Sequence, residues 1–278
     1  MINLSAPSTV RRLIRENAFR YKKSIGQNFL VDGNVVQTIV KAAGAAPGQF
    51  FLEIGAGFGA LTQGLANSGA SVVAVEIDAV LAEVTRKLLA DYPQVQIVTG
   101  DALRLDLASL VPPGQRCRVA ANLPYYITSP LLIKLVESDL PVELLVVMVQ
   151  KEVGERLLAA PGTKDYGALS VKLFFHAEVE LVAQVPRTVF FPPPHVDSAI
   201  LRLLPRPFPY PAADPATFSR VVRAAFAHRR KNLKNALLAA GLAAEALLET
   251  AGMDGKRRGE SLSPEEFGRL SLAAAACR

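Results

Sequence analysis

From residue 49 onward, short apolar runs alternate with longer stretches of helical spacing. The runs are QFFLEIG at 49, SVVAVEID at 71, VQIVTGD at 95, CRVAANL at 117 and ELLVVMV at 143. They are rich in β-branched residues and apolar almost without interruption, as strands are when both faces are covered, and the gaps between them are long enough for crossover helices. The pattern predicts a doubly wound α/β domain on a mostly parallel sheet. Two later segments, EVELVAQV and SAILRLL, are joined by RTVFFPPPHVD, whose prolines exclude regular structure; they add an antiparallel pair at one edge and make seven strands. Past Pro205 the pattern turns helical. Asp214-Pro215 reads as an N-cap followed by N1, and Ser263-Pro264-Glu265-Glu266 as a capping box with Leu262 and Phe267 as its staple. The Pro-rich stretch RPFPYPAAD is a stiff linker. Three parts are expected: an extension at 1–22, an α/β domain at 23–205 and a smaller helical domain at 206–278.

Composition narrows the setting. Half of the 278 residues are hydrophobic and a fifth are charged, enough for a full core. No apolar run approaches the roughly 20 residues of a membrane span, and the N-terminus lacks a signal-peptide core. Cys117 and Cys277 are far apart and read as free thiols, so a cytoplasmic protein is expected. The three histidines lack metal-ligand spacing, and no metal is expected. The net charge of +6 is unevenly spread: +5 over residues 1–31, −5 over 32–201 and +6 over 202–278. An acidic middle with basic flanks suits chemistry in one domain and a grip on a polyanion from the ends. The candidate phosphate contacts are Lys22 and Lys23 on one side, and Arg223, Arg229, Arg230, Lys231 and Lys234 on the other.

In an open parallel sheet, ligands bind beyond the carboxyl ends of the strands. The first strand runs into EIGAGFG, Glu53 to Gly59, where glycines allow a tight turn and close approach to a ligand. Such turns also occur for purely structural reasons. The second strand ends at Glu76, 21 residues after Gly55, where an acid accepts from ribose hydroxyls. The third ends in GDA, where Asp101 is placed to accept from an adenine amine. The fourth ends in NLPY, Asn122 to Tyr125. Because the glycine pattern is not the dinucleotide fingerprint, an adenosine-containing ligand other than NAD is expected. NLPY suits an amine on an aromatic ring: the Asn122 side-chain oxygen and the Leu123 carbonyl take its two hydrogens, Pro124 fixes the turn, and Tyr125 stacks on the base.

NLPY following EIGAGFG, VEID and GDA resembles the S-adenosylmethionine-dependent adenine N6-methyltransferases. With KSIGQNFL at 23–30, FFPPPHVDSA at 190–199 and AFAHRRKNL at 225–233, the chain is similar, over nearly its whole length, to the KsgA-type ribosomal RNA adenine dimethyltransferases. The resemblance implies that the GQNFL segment closes over S-adenosylmethionine, with Gln27, Asn28 and Leu30 at the cofactor. It further places Gly55 and Gly57 at the methionine portion, Glu76 and Ile77 at the ribose, Asp101 and Ala102 at the adenine, and Asn122 between cofactor and target. Phe190 matches the aromatic facing Tyr125 across a flipped base. The implied reaction is transfer of methyl groups to N6 of two adjacent adenosines in a hairpin loop near the 3′ end of small-subunit rRNA, within a pre-ribosomal particle, by a monomer.

Three other readings are weighed at this point, of which a DNA adenine methyltransferase is disfavoured because the sequence shows no extra target-recognition domain. The related enzymes that methylate one adenine of large-subunit rRNA and confer antibiotic resistance share the fold and the N-[LI]-P-Y motif. A chain that chiefly binds immature particles as an assembly checkpoint would also carry these flanking charges.

Overall fold

The computed structural model describes residues 2–17, 19, 27–125, 127–228 and 230–277. They form two compact units, 1–154 with 180–204, and 155–179 with 205–278. The expected boundary at 205 lies at one edge of the second unit, which also takes in residues 155–179.

The first unit is built on the expected sheet. Its strands are β1 (Phe29–Leu30), β2 (Phe50–Ile54), β3 (Ser71–Glu76), β4 (Val95–Thr99), β5 (Cys117–Asn122), β6 (Val142–Gln150), β7 (Ala177–Val185), β8 (Phe190–Phe191) and β9 (Ser198–Pro205). Seven of them form one sheet in the order β4-β3-β2-β5-β6-β9-β7. The neighbours from β4 to β6 are parallel, and β9 runs antiparallel to β6. Every residue of β2 is buried, which is why its sequence does not alternate. The order reverses between β2 and β5, so the ends of β2, β3 and β5 flank a topological switch point. The two remaining strands, β1 and β8, pair as a short antiparallel ribbon, Phe29 opposite Phe191 and Leu30 opposite Phe190.

Helices α1 (Pro7–Glu16), α2 (Gly33–Ala42), α3 (Ala60–Asn67), α4 (Ala79–Leu88) and α5 (Thr128–Glu137) belong to this unit, and α6 (Lys151–Leu158) leaves it. Carboxylates start two of them: Asp32 accepts from the Asn34 and Val35 N–H groups, and Asp78 from those of Val80 and Leu81. The described part of the basic extension is a folded piece of this unit. Val10 and Leu13, three residues apart on α1, are buried in the main core together with Leu4, while Arg11, Arg12 and Arg15 face solvent. Gln63 holds the segment before α1 from both sides, accepting the Leu4 N–H at 2.9 Å and donating to the Ile2 carbonyl at 2.8 Å.

The second unit contains α7 (Ala168–His176), α8 (Pro215–Phe226), α9 (Leu233–Ala239), α10 (Ala244–Ala251) and α11 (Pro264–Ala276). Val171 and Phe175 of α7 are fully buried in its core, and the Phe175 and Phe218 ring centroids are 4.2 Å apart; this packing is what places α7 in the second unit. The expected caps are present. Asp214 accepts from the Thr217 N–H, and Ser263 and Glu266 bond reciprocally, with Leu262 and Phe267 both buried in the same core. Among the described residues no helix is long and apolar enough to cross a membrane.

Candidate active site

The first three strand ends are bound to one another through the main chain. After β2 the backbone takes positive φ at Gly55 (85°) and Gly57 (54°), which favours glycine at both. A Cβ on Gly57 would stand 3.3 Å from the Phe29 ring, and one on Gly55 3.6 Å from the Asn122 carbonyl, so a side chain at either position would intrude on the pocket that both glycines line. Glu76, only 5% exposed, accepts the Gly57 N–H through Oε2 and the Asp78 N–H through Oε1, both at 2.9 Å. Burial raises its pKa and these N–H donors oppose the shift. An ionised carboxylate has about four lone-pair sites, so each oxygen retains acceptor capacity for a ribose hydroxyl. After β4, the Asp101 side chain closes its own turn by accepting from the Leu103 N–H at 2.9 Å, and its other oxygen lies 3.5 Å from Arg104 Nε.

The fourth strand end carries NLPY. Asn122 donates from Nδ2 to the Asn28 carbonyl at 3.3 Å, which fixes the amide and leaves Oδ1 as its acceptor. Leu123 continues the ladder, its N–H bonded to the Met148 carbonyl at 3.0 Å, so the turn starts from a fixed point. The Pro124 carbonyl accepts from Thr128 Oγ1 on α5 at 3.1 Å. The Tyr125 hydroxyl lies 3.3 Å from Ser198 Oγ on β9, and burial pushes its pKa up.

Gln27, Asn28, Gly55, Gly57, Glu76, Ile77, Asp101, Ala102, Asn122, Leu123, Pro124 and Tyr125 line one pocket. Leu30 and Phe190 do not line it; they are 5% and 3% exposed and face each other in the β1–β8 ribbon. Phe29, Ile54, Val75 and Leu81 supply apolar wall that the motif reading did not name. Phe29 was within reach of that reading, since it stands between Asn28 and Leu30. Its ring packs 4.6 Å from that of Phe58 and 5.8 Å from that of Phe19, joining the GQNFL segment to the glycine turn. Of the candidate phosphate contacts, Lys22, Lys23 and Arg229 lie outside the described residues, as does Tyr126 after NLPY. Arg223, Arg230 and Lys231 are exposed in the second unit, whereas the Lys234 ammonium is engaged by Glu245 at 2.8 Å.

A mostly parallel sheet with β9 antiparallel to β6, an acid-bearing pocket at its switch point and NLPY on the next strand define a Rossmann-like, S-adenosylmethionine-dependent methyltransferase. The chain belongs to the ribosomal RNA adenine dimethylase family, to which residues 18–275 match. It is 46% identical to the ribosomal RNA small subunit methyltransferase A of Bacillus cytotoxicus and 47% identical to that of Bacillus mycoides, in each case over 98% of both chains. Among solved structures it is similar to a dimethyladenosine transferase from Plasmodium falciparum, with TM-score 0.74, 27% identity, and coverage of 88% of this chain and 96% of that one. It is also similar to the 23S rRNA methyltransferase ErmE, with TM-score 0.64, 30% identity, and coverage of 89% and 100%.

Proposed function

We propose that the chain transfers methyl groups to the exocyclic N6 amines of two adjacent adenosines in a hairpin loop near the 3′ end of small-subunit rRNA. It acts as a monomer in the cytoplasm, on a pre-ribosomal particle. The observation that supports the reading is the anchored Asn122 amide, which lines the same pocket as Gly55, Glu76, Asp101 and Tyr125.

S-adenosylmethionine, when bound, supplies a methyl group on a sulfonium that leaves as a neutral thioether. Gly55 and Gly57 give room for its methionine portion, Glu76 accepts from the ribose, and Asp101 accepts from the adenine amine. Gln27, Asn28 and Phe29 close the mouth. On the target side the chemistry is one of alignment. The lone pair of an adenine amine is delocalised into the ring; Asn122 Oδ1 and the Leu123 carbonyl, accepting its two hydrogens, draw the nitrogen toward tetrahedral geometry. Pro124 holds the carbonyl in place, and the Tyr125 ring, held by Ser198, stacks on the base, an interaction of about 1–3 kcal/mol. After attack the amine is cationic and acidic enough to lose its proton to water, so no dedicated general base is assigned. The target nucleotide leaves its stack most cheaply in a loop, and Arg223, Arg230 and Lys231, with Lys22, Lys23 and Arg229, contact phosphate rather than base edges.

The small-subunit assignment is supported by 46–47% identity to small-subunit enzymes against 30% to the large-subunit enzyme ErmE. The test is transfer of labelled methyl onto unmethylated small-subunit particles, large-subunit particles and duplex DNA, with the product base identified by mass spectrometry. Dimethyladenosine at two adjacent small-subunit positions is the expected result. Label in large-subunit RNA alone, or binding to small-subunit particles without transfer, overturns it.

A further inference from the structure

Lys134 lies outside every motif considered above, yet its ammonium is fully committed. It projects from α5, and Nζ donates to three main-chain carbonyls: Ala102 at 3.0 Å, Leu103 at 3.0 Å and Leu105 at 2.7 Å. All three belong to the turn that follows β4 and presents Asp101. Within that turn the Leu103 N–H bonds to Asp101 Oδ1, and the Arg104 and Leu105 N–H groups bond to the Asp101 carbonyl, each at 2.9 Å. The turn starts at Gly100, whose N–H bonds to the Glu76 carbonyl at 2.9 Å, and the Leu105 side chain folds back so closely that a Cβ on Gly100 would meet it at 2.7 Å. Winding this tightly aims three carbonyl dipoles at one point. Such a convergence is stable only around a cation, and a lysine ammonium, a compact charge with three N–H donors, fits it where a planar guanidinium does not.

We propose that Lys134 is a positioning residue for the adenine of the cofactor. It acts through the three carbonyls, holding the 101–105 turn in the form that offers Asp101 and Ala102 to the pocket, and does not itself line that pocket. Because α5 is bonded at its first turn to the Pro124 carbonyl, the same helix braces the adenine side and the target-amine side. The inference rests on the reading of this pocket as the S-adenosylmethionine site.

The test uses the full chain with Lys134→Met, which keeps the reach and removes the charge, and Lys134→Arg. Dissociation constants are measured by calorimetry for S-adenosylmethionine and for 5′-methylthioadenosine, which keeps the adenosine and lacks the amino-acid portion. Single-turnover methyl transfer is followed at saturating cofactor, and amide exchange is followed over residues 101–106. Lys134→Met is expected to raise both dissociation constants by the same factor, about tenfold or more, consistent with loss of charge-assisted hydrogen bonds. The saturated rate stays within about twofold of wild type, and exchange accelerates in the turn. Lys134→Arg is expected to fall between the two, and it carries the test if the Met variant does not fold. Unchanged affinities with a lowered Tm, or a fall in the saturated rate at unchanged affinity, would overturn the proposal. Failure of the wild-type chain to bind either ligand would overturn the cofactor reading beneath it.

Discussion

Glu76 Oε2 accepts the main-chain N–H of Gly57 at 2.9 Å, so the acid proposed to hold a ribose also fixes the glycine turn beside it. Glu76→Ala removes both the acceptor and the tie, and leaves the Gly57 and Asp78 N–H groups without it. We expect S-adenosylmethionine affinity to fall by at least about a hundredfold and the apo protein to lose about 1–3 kcal/mol. Glu76→Gln keeps an oxygen acceptor but replaces the other acceptor by a donor, and is expected to lose most of the affinity too. Calorimetric titration with urea unfolding of the same samples checks both; cofactor affinity unchanged in Glu76→Ala would exclude Glu76 from the ribose site.

Asn122 is held by the Asn28 carbonyl, and its Oδ1 is one of two acceptors assigned to the target amine. Asn122→Ala should lower the single-turnover rate about 10²–10³-fold, the usual effect of removing one preorganised polar contact to the reacting group, with cofactor affinity changed much less. A monomethylated amine keeps one hydrogen, so its transfer proceeds with one of the two contacts already lost. The Asn122→Ala penalty is therefore expected to differ between unmethylated and monomethylated RNA. Equal rates on the two RNAs, in wild type and variant alike, would remove the two-acceptor account.

Glu53 is 1% exposed on β2, and burial, with Glu76 nearby, pushes its carboxyl up to about 8 from the ordinary 4.5. Between those values the unfolded chain has released a proton that the folded chain keeps. Stability from this group is thus fully present below the unfolded value and is lost as pH rises toward the folded one, by about 1.4 kcal/mol per pH unit. Glu76, also raised by burial, adds a slope of the same sign. Glu53→Gln should flatten the dependence between about pH 5 and 8 and exceed wild type at the upper end. Chemical unfolding of the apo protein at several pH values measures it; parallel curves for the two proteins would mean that Glu53 ionises in the folded state much as it does in water.

Leu4 is 1% exposed, and its methyl carbon would lie 3.3 Å from a Cβ on Gly59, so the N-terminal segment packs against the glycine turn from behind. Leu4→Ala is expected to cost about 2–5 kcal/mol of stability, as buried Leu truncations do. Removing residues 1–17 should destabilise the α/β unit as well as remove positive charge. A Tm unchanged by the truncation would show that this segment contributes nothing to the stability of the unit.

The parts of this fold that hydrophobic pattern dictates were legible. Runs such as SVVAVE and LLVVMV read as strands buried on both faces, and the residues singled out at the four strand ends line one pocket. What escaped the sequence has equally specific causes. In α1, two buried residues, Val10 and Leu13, are too few to stand out against three exposed arginines, so the sequence showed a basic extension and not its buried face. Residues 155–179 follow the α/β pattern locally, and only the packing of Val171 and Phe175 beside Phe218 shows which core they join. Strands of two residues, β1 and β8, have no periodicity to detect. Lys134 leaves no trace because a lysine in mid-helix is ordinarily a solvated residue, and its three acceptors are main-chain atoms that carry no sequence signal.

The β1–β8 ribbon pairs Phe29 with Phe191 and Leu30 with Phe190, partners from opposite ends of the α/β unit's sequence. A growing polypeptide emerging from the ribosome can lay down β2 to β6 in order, each beside a neighbour already made or soon to follow. It cannot close this ribbon until residue 191 has been synthesised and has left the exit tunnel. For most of its own translation, then, the nascent protein carries the strand ends that line the pocket without the pairing that holds Phe29 in its wall, and the completed pocket comes into being only late in its synthesis.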